Sequence, residues 1–344
     1  TPLYSSAASD VYKRQDTLLG GNGNDSLQGG DGADSLLGGA GADTLDGFFG
    51  PDTLDGGEGA DTINAGRDDD SVRGGGGDDS ISGFLGADTL DGGEGNDNIH
   101  GGDDTFANVI FGGIGDDSIN AGLGADTIDG GAGNDSINGS AGNDIASYAD
   151  ASGGVAVDLT AGRATGAAGN DTLTSIEGVV GSDHADTLTG GSAADTLIGG
   201  NGDDLVSGGD GADSLSGGDG ADTLTGLLAD NTDDGDNDTL TGGADNDTYL
   251  VAAGRDTVIE VAGDGTDTVL LVPGSATAYT LDGNVENLAL FDPTSPTAFT
   301  LAGNNLNNQI TGGAGNDHID GDSGNDHIDG GSGNDTILGG TGAD

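Results

Sequence analysis

Nine aspartates, Asp25, Asp34, Asp43, Asp52, Asp61, Asp70, Asp79, Asp88 and Asp97, stand nine residues apart. Each closes a local Gly-Gly-x-Gly-x-Asp pattern that continues x-apolar-x. The pattern is clean in Gly20 to Gln28 (GGNGNDSLQ) and again in Gly29 to Leu37 (GGDGADSLL). Carboxylates beside the carbonyls of flexible glycine turns make an all-oxygen, hard donor set. Such a set suits Ca²⁺, which accepts about 6–8 oxygens in variable geometry; Mg²⁺ demands a stricter octahedron and keeps its waters. Softer metals favour Cys or His, and neither stands at the repeated place.

The spacing also dictates the elements that hold these carboxylates. Glycine tolerates positive φ, so GGxGx can close a tight turn with its carbonyls unobstructed. The next three residues read as extended, their middle member facing one side and its neighbours the other. Those middle residues are Leu27, Leu36, Leu45, Leu54, Ile63, Val72, Ile81, Leu90 and Ile99, one inward aliphatic per repeat. A strict period of this kind marks a solenoid. Stacked turns bring carboxylates to about 4.8 Å. At that separation each neighbouring pair repels by roughly 3 kcal/mol at an effective dielectric near 20. One buried aliphatic per nine residues does not offset this together with the ordering entropy. The metal-free solenoid is therefore expected to be unstable, and a divalent cation between turns to reverse the sign of the repulsion.

Composition narrows the function. The 344 residues include 75 Gly and 62 acidic against 6 basic side chains, for a formal charge of -56. Nucleic acid and anionic membrane surfaces need Lys and Arg, of which the repeats are nearly free. There is no Cys, which rules out disulfides and thiolate sites. No apolar run approaches the roughly 18 residues of a membrane span.

Residues 1–15 (TPLYSSAASDVYKRQ) lack Gly and the period, and are expected to be disordered, non-native sequence. A first array covers 16–147, a second 181–250 and a third 303–344, with the chain ending inside a repeat as a piece of a longer protein would. Two β-rich spacers, 148–180 and 251–302, separate them. Strand patterns there include Val155 to Leu159, Asp256 to Val261, Thr268 to Val272, Thr280-Leu281 and Leu288 to Leu290. A slip at 103–111 (DDTFANVIF) lengthens one repeat and removes its Asp.

The expected metal ligands are Asp25, Asp34, Asp43, Asp52, Asp61, Asp79, Asp88 and Asp97; Asp117, Asp126, Asp135 and Asp144; Asp195, Asp204, Asp213 and Asp222; and Asp317, Asp326 and Asp335. If ions sit between loops two repeats apart, the uninterrupted runs give about fourteen Ca²⁺. Weak or empty sites are expected at several departures. Ala65 to Asp70 is poor in glycine, Phe48-Phe49 and Phe84-Leu85 put bulk before Asp52 and Asp88, and Gly181 to Asp186 lacks two glycines. Ala146 replaces the inward aliphatic at the end of the first array.

These residues closely resemble the repeats-in-toxin (RTX) family, the haemolysin-type calcium-binding nonapeptide. The resemblance implies an all-β parallel β-roll, a β-helix solenoid with two repeats per turn. It implies Ca²⁺ held between a loop and the loop one turn on, pairing Asp25 with the loop of Asp43 and Asp34 with that of Asp52. It further implies a secreted or cell-surface bacterial protein, exported unfolded through type I secretion machinery and folding in external Ca²⁺. The fragment itself reads as non-catalytic. Its parent would be a secreted enzyme or toxin (protease, lipase or epimerase) with this accessory region, or an adhesin with a Ca²⁺-stiffened spacer.

Sharper chemistry fits less well. Gly321-Asp322-Ser323-Gly324 looks like a serine-protease nucleophile turn but is in register as a repeat loop leading to Asp326. His318 and His327 fall in successive repeats, hence on opposite sheets. Asp230 to Asp236 faintly resembles an EF-hand loop, yet Thr241 stands where the bidentate Glu belongs.

Overall fold

The alternation of glycine turn and short aliphatic segment becomes, in a computed structural model, a stack of short strands joined by tight turns. The structure describes residues 3–4, 15–272 and 276–344. The expectation for 1–15 thus lies largely outside the described residues; Leu3–Tyr4 within it pairs in parallel with Leu27–Gln28. The chain divides into two compact units, Thr1–Ser152 with Ala161–Val179, and Gly153–Thr160 with Val180–Asp344.

In the first unit, consecutive repeats lie in opposite sheets. One ladder runs Ser26–Asp31, Thr44–Phe49, Thr62–Arg67, Ser80–Leu85, Asn98–Gly102, Ser118–Gly122 and Ser136–Asn138. The other begins Thr17–Asn22, Ser35–Ala40, Thr53–Glu58, Ser71–Gly76 and Thr89–Glu94. All these pairings are parallel, and each repeat meets its copy two repeats later, as in Leu27↔Leu45↔Ile63↔Ile81. Two repeats make one turn. The inward residues form the core: Leu27, Leu36, Leu45, Leu54, Ile63, Ile81, Leu90 and Ile99 are all buried, and Ala146 is too.

Glycine is required where turns stack. Gly41 has φ +129°, and a Cβ there would stand 2.6 Å from the Gly23 carbonyl oxygen. The bulky turns keep this conformation without glycine: Phe48 (φ 75°) lies in register with Gly30, and Phe84 (φ 70°) with Gly66.

The segments read as spacers contain strands that add to the ladders. In the first unit Asn170–Thr174 stacks in parallel on Ser136–Asn138, and Arg163–Gly166 folds back on it antiparallel. In the second unit Val155–Asp158 pairs with Thr187–Thr189. Thr248–Ala252, Thr268–Val272, Asn287–Leu290 and Gln309–Gly313 then stack one on the next, carrying the repeat ladder through 251–302. Thr257–Ile259 joins the opposite sheet beside Thr239–Ala244. A further four-stranded sheet holds Ala278–Thr280, Thr300–Ala302, His318–Asp320 and Thr336–Leu338. His318 and His327 therefore sit on different sheets, as the spacing predicts.

Candidate metal centre

Each turn presents its aspartate to the turn before it. The Asp25 amide donates to Asp43 Oδ1 at 2.7 Å, Asp43 to Asp61, Asp61 to Asp79, and Asp79 to Asp97 at 2.8 Å. The opposite row runs Asp34 to Asp52 to Asp70, each at 2.7 Å, and Asp70 to Asp88 at 2.9 Å. One carboxylate oxygen thus ties the backbone of successive turns. The pairs Asp25/Asp43 and Asp34/Asp52 are the ones the β-roll resemblance implies.

The second oxygen has no such duty. In Asp34, Asp43, Asp52, Asp61, Asp70, Asp79, Asp88, Asp97, Asp117, Asp126, Asp135 and Asp144, Oδ2 is buried without a hydrogen-bond partner. The same holds in the second unit for Asp204, Asp213, Asp222, Asp238, Asp247 and Asp326. A buried carboxylate oxygen without a donor is costly, and its recurrence calls for a ligand. Its surroundings point to a cation. The place where a Cβ on Gly38 would stand is 2.6 Å from Asp43 Oδ2 and 2.5 Å from the Gly56 carbonyl oxygen one turn on. At Gly29 the corresponding oxygens are Asp34 Oδ2 at 2.6 Å and Gly47 O at 3.0 Å. Carboxylate and carbonyl oxygens that crowd the same side of a glycine form a hard, all-oxygen donor pair of the kind Ca²⁺ takes.

Electrostatics agree. Burial, aided by neighbouring carboxylates and only partly opposed by the backbone N–H, pushes Asp70 up to about 8 and Asp79, Asp88 and Asp135 to about 7. The same causes take Asp52, Asp117, Asp144, Asp204 and Asp213 to about 6, and Asp222 to about 7. Three of the described arginines are engaged elsewhere: Arg67 lies over the Phe49 ring at 5.3 Å, Arg73 is 3.9 Å from Asp91, and Arg255 is 3.5 Å from Asp233.

A model of the RTX calcium-binding nonapeptide repeat, four copies long, matches residues 14–45, 46–81, 82–106, 111–146, 180–215, 202–233, 232–258, 302–337 and 311–344. The chain belongs to the RTX family. No curated protein matches it. As an RTX region it is a calcium-binding β-roll with a structural, non-catalytic role. No helix among the described residues is long and apolar enough to cross a membrane.

Not every expected RTX aspartate is alike. Asp195 Oδ2 accepts the Gly191 N–H, and Asp317 Oδ2 accepts that of Gly313 at 3.0 Å, so these two meet backbone donors. Asp335 Oδ1 accepts the Asp317 amide at 3.0 Å. Conversely, the turn at Asp70, expected to be weak, has the geometry of its neighbours. Asp68 takes the left-handed conformation (φ 75°) that its turn needs, as Asp can through its short polar side chain, and its Oδ2 accepts the Gly50 N–H at 3.0 Å. At Asp186 the loss of glycine does change the site: the Ser182 hydroxyl and amide both bond its carboxylate.

Sequence reasoning missed several rungs. At the 103–111 slip, Asn108 takes the aspartate's place, its Oδ1 accepting from Asp88 at 2.9 Å while its amide donates to Asp126 at 2.7 Å. Asp171 follows Asp135, and Glu177 follows Asp144. In the second unit Asp213 leads to Asp238 and Asp256, while Asp247, which the repeat pattern already places after an insertion, follows Asp222 and leads on to Asp267 and Glu286. Asn308 precedes Asp326. Insertions hide these residues from a nine-residue count. A usable signal survives in Asp171-Thr-Leu, Asp238-Thr-Leu, Asp256-Thr-Val and Asp267-Thr-Val, an acid two places before a buried aliphatic.

Proposed function

We propose that Asp34, Asp43, Asp52, Asp61, Asp79, Asp88, Asp97, Asp117, Asp126, Asp135, Asp144, Asp204, Asp213, Asp222 and Asp326, joined by Asp70 and Asp238, hold Ca²⁺ between successive turns. The carrying observation is the recurring buried Oδ2 without a hydrogen-bond partner, which in Asp34, Asp43, Asp61, Asp79, Asp88 and Asp97 lies close to a glycine carbonyl of the next turn. Asp25 heads its row through the tie to Asp43, and Asp195, Asp317 and Asp335 belong to the same rows. Asp195 and Asp317 should bind more weakly, because backbone N–H groups already occupy their second oxygen. The uninterrupted runs account for about fourteen ions, and the rungs through Asp171 and Asp238 offer further places.

The resulting activity is folding coupled to Ca²⁺ binding. Extracellular calcium modules respond at about 10⁻⁴–10⁻³ M, well above cytosolic levels. The region would therefore stay unfolded inside the cell and fold outside, the behaviour suited to export through a type I secretion channel as part of a larger bacterial protein. RTX membership supports that setting. Circular dichroism during a Ca²⁺ titration, with Mg²⁺ as control, tests the reading: β signal should appear with Ca²⁺ and not with equal Mg²⁺. Full β signal in excess chelator would sink it.

A further inference from the structure

The turn after Thr239–Ala244 departs from the regular repeat. Strand register places Thr241 beside Ile259, which sets Glu260 level with Gly242. That inward place belongs, in a regular repeat, to the first glycine of the turn. Tyr249 likewise stands where the repeat has its inward Leu or Ile, and it is fully buried. Two oxygen-bearing side chains have thus replaced a glycine and an aliphatic inside the solenoid.

They converge on one point. The position where a Cβ on Gly242 would stand is met by Glu260 Oε1 at 2.6 Å, and closely by Asp247 Oδ2 and the Tyr249 hydroxyl. The Tyr249 hydroxyl donates to Glu260 Oε1. Asp247 is 1% exposed, and its Oδ2, aimed into this cluster, has no hydrogen-bond partner. Asp267, on the next rung, accepts the Asp247 amide at 2.9 Å. Carboxylate oxygens of Asp247, Glu260 and Asp267 lie within 4.8 Å of one another, all three residues buried. Arg255, the basic residue nearest in sequence, is engaged by Asp233 and the Gly235 carbonyl instead.

We propose that Asp247, Glu260 and Asp267, with the Tyr249 hydroxyl, form a second kind of divalent-cation site, in which side-chain oxygens replace the loop carbonyls of the regular turn. Buried carboxylates this close need a positive partner, and Arg255 is committed elsewhere. The donor set is hard and all-oxygen, so the ion is Ca²⁺ or a cation of the same class. Three carboxylates, against the carboxylate and carbonyls of a regular turn, raise the ligand charge, and affinity in oxygen sites follows ligand charge. This site should fill before the ladder does and pin the middle of the second unit. The aromatic ring beside the ion also gives it a spectroscopic label.

The test uses the full chain with Tb³⁺ and Ca²⁺ as probes. Tyrosine-sensitised Tb³⁺ emission should show an early-saturating component, and native mass spectrometry in Ca²⁺ should count the ions. Glu260→Gln should remove the early component, weaken that site by about tenfold or more, and lower the ion count by one while the rest titrate as before. Tyr249→Phe should abolish the emission component with a smaller loss of affinity. A Tyr249→Leu/Glu260→Gly double variant restores the residues of a regular repeat and should fold in Ca²⁺ with the early component gone. Unchanged titration and ion count in Glu260→Gln would overturn the inference and make the cluster a proton-sharing one. A double variant that retains the early component would overturn it equally. A wild-type chain that binds no ions at all would instead defeat the ladder reading as well.

Discussion

Asp79→Asn should have opposite effects in the metal-free and calcium-loaded chain. Asp79 lies mid-ladder in the first unit: its Oδ1 accepts the Asp61 amide at 2.7 Å, and its Oδ2 is buried beside the Gly92 carbonyl. Burial first, then the charges of Asp97, Asp61 and Asp78, push its carboxyl from 3.8 up to about 7, against a partial opposing effect of the backbone N–H. Because the folded value lies above the unfolded one, the folded chain holds a proton that the unfolded chain releases above about pH 4. A tenfold change in proton affinity corresponds to about 1.4 kcal/mol. Ionising Asp79 near pH 7 then costs the metal-free fold about 2–4 kcal/mol, the lower end allowing for screening by solvent near the turn. Asparagine removes the charge and keeps an Oδ1 acceptor, and its amide can donate to the Gly92 carbonyl. In chelator near pH 7 the variant should therefore fold at a lower concentration of a stabilising osmolyte than wild type, with the gap shrinking by about half or more near pH 5. In Ca²⁺ the order should invert, since a charged ligand is lost and the calcium midpoint rises. Circular dichroism in osmolyte and in calcium titrations reads both arms. A variant less stable than wild type in chelator as well as in Ca²⁺ would refute the claim that these carboxylates are what holds the metal-free chain unfolded.

Acidification should partly replace calcium. Burial raises Asp52 to about 6, Asp79 and Asp222 to about 7 and Asp70 to about 8, so the stability they withhold is present below their unfolded value and lost as pH climbs through that range. In chelator, β signal should grow from pH 8 down to about pH 5, and a signal that falls over that interval would contradict the assignment. Gly41→Ala places a Cβ 2.6 Å from the Gly23 carbonyl at φ +129°, and should cost about 1–3 kcal/mol in the calcium-loaded form, measured as a raised calcium midpoint. Ile81→Ala empties a fully packed place between Ile63 and Ile99, and should cost about 2–5 kcal/mol by urea unfolding in saturating Ca²⁺.

The repeat was legible because glycine, aspartate and aliphatic each do one job at one place. Leu27, Leu36 and their successors follow directly from strand alternation, and so does the placement of His318 and His327 on different sheets. The rungs at Asn108, Asp171, Asp238, Asp267 and Glu286 were not legible by counting. A ladder rung needs only a side-chain oxygen within reach of the amide one turn below, so asparagine and glutamate serve, and looped-out insertions between strands leave the stacking register intact. Glycine content proved a poor guide to whether a turn survives. Asp68 supplies the left-handed residue that the Asp70 turn needs, whereas at Asp186 Ser182 answers the carboxylate and changes its chemistry. Glu260 escaped notice because an acid inside a strand-like stretch has no signature until register shows that it occupies a glycine's place.

The asparagine rungs separate two functions that each aspartate combines. Oδ1 binds the neighbouring turn's N–H and needs no charge; Oδ2 supplies the anion that only a cation can satisfy. Asn108 performs the first function between Asp88 and Asp126 with full geometry. It also eases the strain on its neighbour: burial still raises Asp126, but hydrogen bonds from Asn108 oppose the rise, whereas Asp70 in the same row is pushed up to about 8 by burial and by the carboxylates of Asp88 and Asp52. A ladder built wholly of asparagine would keep its backbone ties and lose its dependence on calcium. The retention of aspartate at nearly every rung therefore has no rationale in the folded geometry alone. It makes sense as a means of keeping the chain unfolded until an ion arrives, with the same residue that destabilises the metal-free turn becoming its ligand.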